Sequence, residues 1–272
     1  IKDNLVQLKT KKVIPQRKAQ NPFKIESETI LTENNADIIF IRPDPPFDQQ
    51  YLINTWLLDR IKHKVLVIND PAGIRAVNEK LWISQFTDII PKTLITADKN
   101  DFLDFLNNEK EIIIKPVNEF GGTGIFKLDT KSPNSKVAFE ALSENSKKHV
   151  ICQKYIPEAK VGDKRIVLLD GEPITSFLRV NTGIDHRNNV YAGGRPEAAG
   201  ITKRDKELIN RIKPFLKKLG LHWVGIDIIG DYLIEVNVTS PSGIREAHQV
   251  YGIHLEDKII SFAEKMESIL RS

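Results

Sequence analysis

The stretch Gly225-Ile226-Asp227-Ile228-Ile229-Gly230-Asp231-Tyr232-Leu233-Ile234-Glu235-Val236-Asn237-Val238-Thr239-Ser240-Pro241 holds two β-branched runs that meet at Gly230-Asp231. Such runs on either side of a Gly-Asp pair predict two antiparallel strands joined by a tight hairpin. Glu235 and Asn237 then share a face, because side chains alternate along a strand with period two. The side on which Asp227 falls depends on the turn. A two-residue loop, Gly230-Asp231, pairs Asp227 with Ile234 and turns it away from Glu235, whereas a three-residue loop, Gly230-Asp231-Tyr232, sets it opposite Glu235. The three-residue loop is the expectation adopted here, since it gathers two carboxylates and an amide carbonyl. Those are hard oxygen ligands of the kind Mg²⁺ takes, usually together with substrate phosphates.

Upstream, Ala36-Asp37-Ile38-Ile39-Phe40-Ile41 is a short apolar run closed by Arg42-Pro43, which predicts a buried strand. Ile53, Trp56, Leu57 and Ile61 have helical spacing, and Lys64-Val65-Leu66-Val67-Ile68-Asn69 is a second apolar strand before Asp70-Pro71. Strand, helix, strand at this spacing predicts a βαβ unit with a parallel pair. Residues up to about Glu33 are polar and weakly patterned, and the chain begins at Ile1, so this first unit is expected to lack its opening elements.

From about Asn78 the order changes to a small α+β layer. A short helix starts at Asn78, Lys92 to Thr96 reads as a strand, and Phe102, Leu103, Phe105 and Leu106 mark a helix before the strand Glu111 to Pro116. The turn Gly121-Gly122-Thr123-Gly124 leads into Ile125-Phe126-Lys127-Leu128. Strands follow at His149 to Tyr155, Lys164 to Leu169 and Ile174 to Val180, then a polar segment from Asn181 to Gly200. A helix from about Lys203 to Leu219 aligns Leu208, Ile212, Phe215 and Leu219, and a last helix aligns Leu255, Ile259, Phe262, Met266 and Ile269 toward a core. The expected fold class is α/β and α+β, in units spanning 1–77, 78–150 and 151–272.

Composition narrows the function classes. With 272 residues, a net charge of +4 and 40% hydrophobic residues, the chain reads as a globular protein of one large or two to three smaller domains. The basic stretch from Lys9 to Lys18 predicts a solvated segment, and no basic stripe is interleaved with aromatics, so nucleic acid is not an expected partner. Cys152 is the only cysteine, which precludes an intrachain disulfide or a zinc ribbon and fits a reducing compartment. No apolar run reaches membrane-spanning length and nothing resembles a signal peptide, so a cytoplasmic protein without a membrane partner is expected. There is no His-Glu-x-x-His, no Gly-x-Ser-x-Gly, and Cys152 sits in an apolar strand, where core packing outweighs a nucleophilic role.

The remaining signals concern phosphate. Lys115 ends a strand shortly before the Gly121 to Gly124 turn, where glycines let backbone N–H groups approach phosphate oxygens. No Lys-Ser or Lys-Thr follows them, so this is not a Walker loop. The serial order Lys80, Lys115, Gly121-Gly122-Thr123-Gly124, Gln153-Lys154-Tyr155-Ile156, Arg165, then Asp227 with Glu235 and Asn237, is similar to that of the ATP-grasp ligases. More narrowly, Arg42-Pro43-Asp44-Pro45-Pro46-Phe47-Asp48, Gly162-Asp163-Lys164-Arg165, Ala192-Gly193-Gly194-Arg195 and Asn237-Val238-Thr239-Ser240-Pro241 with Ile244-Arg245-Glu246 resemble the bacterial glutathione synthetases. The resemblance covers the chain from about Ala36 to its end.

That resemblance implies an ATP-grasp fold behind a truncated α/β domain, with the nucleotide between two α+β layers. It puts Lys80 and Lys115 on the phosphates, closes Gly121, Gly122 and Thr123 over them, and sets Gln153, Lys154, Tyr155 and Ile156 along the adenine. Asp227, Glu235 and Asn237 would hold Mg²⁺, or Mn²⁺ in its place. Arg165 is expected to stabilise an oxyanion, and Arg42, Arg179, Arg187 and Arg245 to lie near the peptide substrate. Glu119 and the segment Pro196 to Gly200 depart from the family pattern. The implied reaction joins γ-glutamylcysteine to glycine through an acyl phosphate at the expense of ATP, in a homo-oligomer, under a lid formed by about Asn181 to Gly194. Other acid and amine pairs on the same fold, or nucleotide binding without turnover, are the alternatives.

Overall fold

A computed structural model describes residues 1–16, 20–181 and 193–272. The chain opens with an antiparallel hairpin, β1 (Leu8–Pro15) and β2 (Phe23–Leu31), where a patternless segment was expected. The alternation Phe23, Ile25, Ser27, Thr29 is a strand signal, yet Phe23 and Ile25 are exposed, so no buried face accompanies it. The βαβ unit follows as expected: β3 (Ile38–Phe40), α1 (Gln49–Asp59) and β4 (Leu66–Ile68), with β3 and β4 parallel. Only part of the predicted stripe is buried: Ile61, just past the helix end, is in the core. Tyr51 and Thr55 are buried, whereas Trp56 is 52% exposed and Ile53 is also exposed. Asp70 then caps α2 (Pro71–Ala76), its Oδ1 accepting from Ala72 N at 2.7 Å and Gly73 N at 3.1 Å, with Pro71 preset for the first turn.

The short helix expected from Asn78 is a 3₁₀ turn at Trp82–Gln85. Beyond it lies an antiparallel sheet in the order β5 (Thr93–Thr96), β8 (Val150–Lys154), β6 (Glu111–Pro116), β7 (Phe126–Asp129). It is backed by α3 (Lys99–Glu109) and by α4 (Ser135–Leu142), which the sequence reading did not include. Phe102 and Phe139 stack at 4.7 Å between the two helices. β8 straddles the expected boundary at residue 150 and pairs wholly within this sheet.

The larger sheet has the order β11 (Arg195–Ala198), β10 (Glu172–Val180), β9 (Asp163–Leu169), β12 (Trp223–Ile229), β13 (Tyr232–Asn237), all antiparallel. One face, with Ile166, Leu168, Ile226 and Ile228, packs on Leu208, Ile209, Ile212 and Leu216 of α5 (Lys203–Lys218). Phe215, expected in that stripe, is exposed and meets Phe86 edge-on. The other face, with Val167 and Trp223, packs on Ile259 and Ala263 of α7 (Leu255–Arg271). Ile269 at the far end of that helix is 58% exposed, contrary to the core stripe expected there. The short α6 (Ile244–Tyr251) was not foreseen either.

The two-layer core also includes the first unit. Ile41, Val67 and Ile74 share a cluster with the large sheet, and Asn69 supplies a buried amide to it. Asn69 Nδ2 donates to Trp223 O at 2.7 Å and Val238 O at 2.9 Å, while its Oδ1 accepts from Trp223 N at 2.7 Å.

Candidate active site

The decisive register is the β12–β13 ribbon. Asp227 stands opposite Glu235 and Gly225 opposite Asn237, as required for three oxygen ligands on one face. The turn differs from the expectation. Ile229 pairs with Tyr232 across a two-residue loop, Gly230-Asp231, with Gly230 at φ 55°, and the register then slips at Asp227/Ile228 so that Ile234 is an extra residue. A bulge inserts one residue on one strand, so it undoes the half-turn that a two-residue loop would have imposed.

Asp227 is buried, and two arginines enclose it. Arg165 Nε donates to Oδ1 at 2.5 Å and its NH2 to Oδ2 at 2.9 Å, while Arg179 NH2 lies 3.0 Å from Oδ1. Arg179 in turn grips Asp163 with Nε at 2.8 Å and NH2 at 2.6 Å. Burial alone would raise the Asp227 carboxyl, but the two guanidiniums more than offset it and hold it well below the usual carboxylate range. Gly225 makes room for this cluster, since a Cβ there would lie 3.1 Å from Arg165 NH1. Asn237 Nδ2 is 3.3 Å from Asp227 Oδ2 and from Gly225 O. The remaining carboxylate, Glu235, lies 3.2 Å from Lys80 Nζ.

Lys115 is a further buried cation, with Nζ on Gln153 Oε1 at 3.3 Å, and Gln153 Nε2 is held by Thr93 Oγ1 at 2.9 Å. Burial pushes its ammonium down to about 8, Lys80 adds to the effect, and Glu235 and Asp227 act against it. Lys80 Nζ also donates to Glu119 O, at the start of the glycine loop. Gly121, Gly122 and Gly124 all have positive φ there, which only glycine adopts freely. On the segment expected to flank adenine, the N–H groups of Lys154 and Tyr155 bond Lys92 O and Glu111 O. The Tyr155 ring carries Lys127 Nζ at 3.9 Å.

A cleft of about 730 Å³ between the two larger sheets brings these groups together. Its walls include Lys80, Lys115, Gly121, Gly122, Thr123, Gln153, Lys154, Tyr155, Ile156, Arg165, Asp227, Glu235 and Asn237, with Arg42, Arg179 and Arg245. Arg187, and the expected lid from residue 182 to 192, lie outside the described residues. Arg179, assigned to the peptide substrate, makes its contacts with Asp163 and Asp227 instead. Arg165, expected to be poised for an oxyanion, has Nε and NH2 on Asp227 and only NH1 turned elsewhere, to Ser242 Oγ at 3.2 Å. For a divalent cation the donor set fits. Two carboxylates and an amide side chain line the cleft beside two lysines, the chemistry a phosphate-bound hard cation needs.

The sequence reading missed Glu79. Its Oε1 accepts from Val238 N at 2.8 Å, Thr239 N at 3.0 Å and Thr239 Oγ1 at 2.9 Å, fixing the exit of β13 just past Asn237. Burial, with Glu235 nearby, raises its carboxyl above the ordinary range. Glu79→Ala leaves those three donors unpaired and is expected to cost about 3 kcal/mol, several degrees in Tm. Glu79→Gln keeps a carbonyl acceptor and should lose less than half as much by thermal unfolding.

The comparisons with known proteins bear on the family and the fold. The family model for the prokaryotic glutathione synthetase ATP-grasp domain matches residues 79–252, and that for the family's N-terminal domain matches residues 1–75. The glutathione synthetase of Agrobacterium fabrum is 43% identical over 243 residues, 89% of this chain and 76% of that one. That of Coxiella burnetii is 40% identical over 244 residues, again 89% and 76%. Among solved structures, D-cycloserine synthetase DcsG has a TM-score of 0.64 at 15% identity, covering 88% of this chain and 86% of that one. D-alanine–D-alanine ligase from Bacillus anthracis, complexed with ATP, has a TM-score of 0.53 at 15% identity over 78% and 75%. At such identities the structural likeness speaks for the fold alone. With family models along nearly the whole chain and relatives at 40% identity or more, this chain belongs to the prokaryotic glutathione synthetase family and has its ATP-grasp fold.

Proposed function

We propose that the chain joins γ-glutamylcysteine to glycine, converting ATP to ADP and phosphate, and that Mg²⁺ is the divalent metal it uses. The observation that carries this reading is the single cleft in which two lysines face the Asp227, Glu235 and Asn237 ribbon. The cysteinyl carboxylate of the donor attacks the γ-phosphorus of ATP, ADP leaves, and an acyl phosphate forms. The neutral amine of glycine then attacks the acyl carbon, and phosphate departs from the tetrahedral intermediate as the amide forms and a proton is released.

Lys80 and Lys115, which both line the cleft, would neutralise charge on the transferring phosphoryl group. Asp227, Glu235 and Asn237 would hold the metal, which when bound supplies Lewis-acid polarisation of the phosphates. Releasing Lys80 from Glu235 would free both groups for these partners. Arg165, anchored through Asp227, would offer the oxyanion of the second step the N–H of NH1 that Ser242 does not take. The glycine loop from residue 121 and the Gln153 to Ile156 strand would enclose the nucleotide, which keeps water from the acyl phosphate. The reducing cytoplasm suits a thiol-bearing substrate, and we place the reaction there.

ADP release measured with γ-glutamylcysteine, with and without glycine, tests the assignment. Glycine-dependent release at a rate well above background is expected. Release only with other acid and amine pairs, or ATP binding with no release, would remove the proposed substrates.

A further inference from the structure

β9 seats four charged side chains on one face of the large sheet. Asp163 and Arg165 are two residues apart on that strand and so share a face, Asp163 directly across from Arg179 on β10 and Arg165 directly across from Asp227 on β12. The four charges alternate and sum to zero. Arg165 places its fork on Asp227, with Nε on Oδ1 and NH2 on Oδ2. Arg179 places its fork on Asp163, with Nε on Oδ1 and NH2 on Oδ2, and meets Asp227 only through NH2, 3.0 Å from Oδ1.

That division matters for a carboxylate that must also take a metal. A guanidinium fork occupies both oxygens of a carboxylate, and with Asn237 Nδ2 at 3.3 Å from Oδ2 the lone pairs of Asp227 are nearly filled. Arg179 is 5% exposed, so water does not replace an anion that it loses. Without Asp163, its fork would turn to the carboxylate it already touches, Asp227. Resting on the divalent-metal reading above, we propose that Asp163 is a positioning residue of the metal site: by holding the Arg179 fork it keeps Asp227 open to the cation. Both Asp163 oxygens accept from Arg179, so Asp163 acts through that arginine and not as a fourth ligand.

The test is a double-mutant cycle on metal affinity. Mn²⁺ is titrated into enzyme saturated with AMP-PNP, whose nitrogen bridge blocks phosphoryl transfer, and the protein-held ion is read by water proton relaxation. Asp163→Asn should weaken Mn²⁺ binding about 10-fold or more, the scale of coupling between residues in contact. The same substitution placed on Arg179→Gln should change it about 3-fold or less, because no fork remains to be diverted. Wild-type affinity in Asp163→Asn overturns the proposal. So does equal weakening in both backgrounds, which would mean that Asp163 acts on the cation directly, by its field or as a ligand. Should Asp163→Asn alone fail to fold, the pair variant against Arg179→Gln still decides, since the pair removes one charge of each sign: equal affinities support the proposal and a weaker pair variant overturns it. A wild type that holds Mn²⁺ without turning over γ-glutamylcysteine removes the substrates proposed above, while the cycle is read as before. A wild type that holds no Mn²⁺ removes the metal reading and this proposal with it.

Discussion

Asp227→Asn is expected to lower kcat by about 10³-fold or more and to destabilise the fold by about 3 kcal/mol. The two losses have different origins. Activity falls because a carboxylate that faces the phosphate end of the cleft becomes a neutral amide. Stability falls because Arg165 and Arg179, both buried, lose the anion they share, and an uncompensated buried charge costs far more than a surface one. Glu235→Gln separates the effects, since Glu235 is partly exposed and has Lys80 as its ion-pair partner. That variant should lose Mg²⁺-dependent turnover while its Tm stays near wild type. ADP release and thermal unfolding of both variants decide the matter. Wild-type turnover in either one would remove the metal assignment.

Lys115→Met is expected to reduce turnover by at least about 10²-fold and at the same time to stabilise the protein. Lys115 is 5% exposed, and its hydrogen bond is a 3.3 Å contact with Gln153. A methionine of similar length would fill the site without a buried charge. The pH dependence follows from the depressed ammonium. Between about 8 and the ordinary lysine range the unfolded chain carries a proton that the folded chain has lost, so stability rises with pH across that window. The gain should approach about 3 kcal/mol in the wild type and be missing from Lys115→Met. Nucleotide binding moves the other way. Phosphates favour the charged form, so the KM for ATP should rise as pH passes about 8. Denaturant titrations from pH 7 to 10 and KM values over the same range check both. A flat KM profile would place Lys115 away from the phosphates.

Sequence pattern revealed the parts whose signals are local. The βαβ unit was legible because short apolar runs flank a helical spacing, and the β12–β13 hairpin because Gly230-Asp231 marks a turn, although Asp227 meets Glu235 through a bulge and not through the three-residue loop expected. The bulge at Ile234 was not, since an extra residue in a β-branched run looks like any other. Glu79 escaped notice because its partners Val238 and Thr239 lie 159 and 160 residues away along the chain, where no local pattern reaches. Asp163, quoted within a motif but given no role, gains one only when β9 brings it against Arg179. α4 and α6 lack side-chain caps, so their starts carry no Ser, Thr, Asp or Asn signature in use. Trp56 and Ile269 show the limit of periodicity, which detects a stripe without saying what covers it.

The Asn69 amide constrains how this enzyme can breathe. It satisfies three backbone groups of Trp223 and Val238, and withdrawing it would strand each at about 1–3 kcal/mol. The Arg42 to Pro46 segment and the carboxylate ribbon therefore travel as one rigid jaw. Any opening of the cleft then has to come from the opposing jaw, the sheet of β5 to β8, which is tied to the rest of the chain by the stretch before β5 and the stretch after β8.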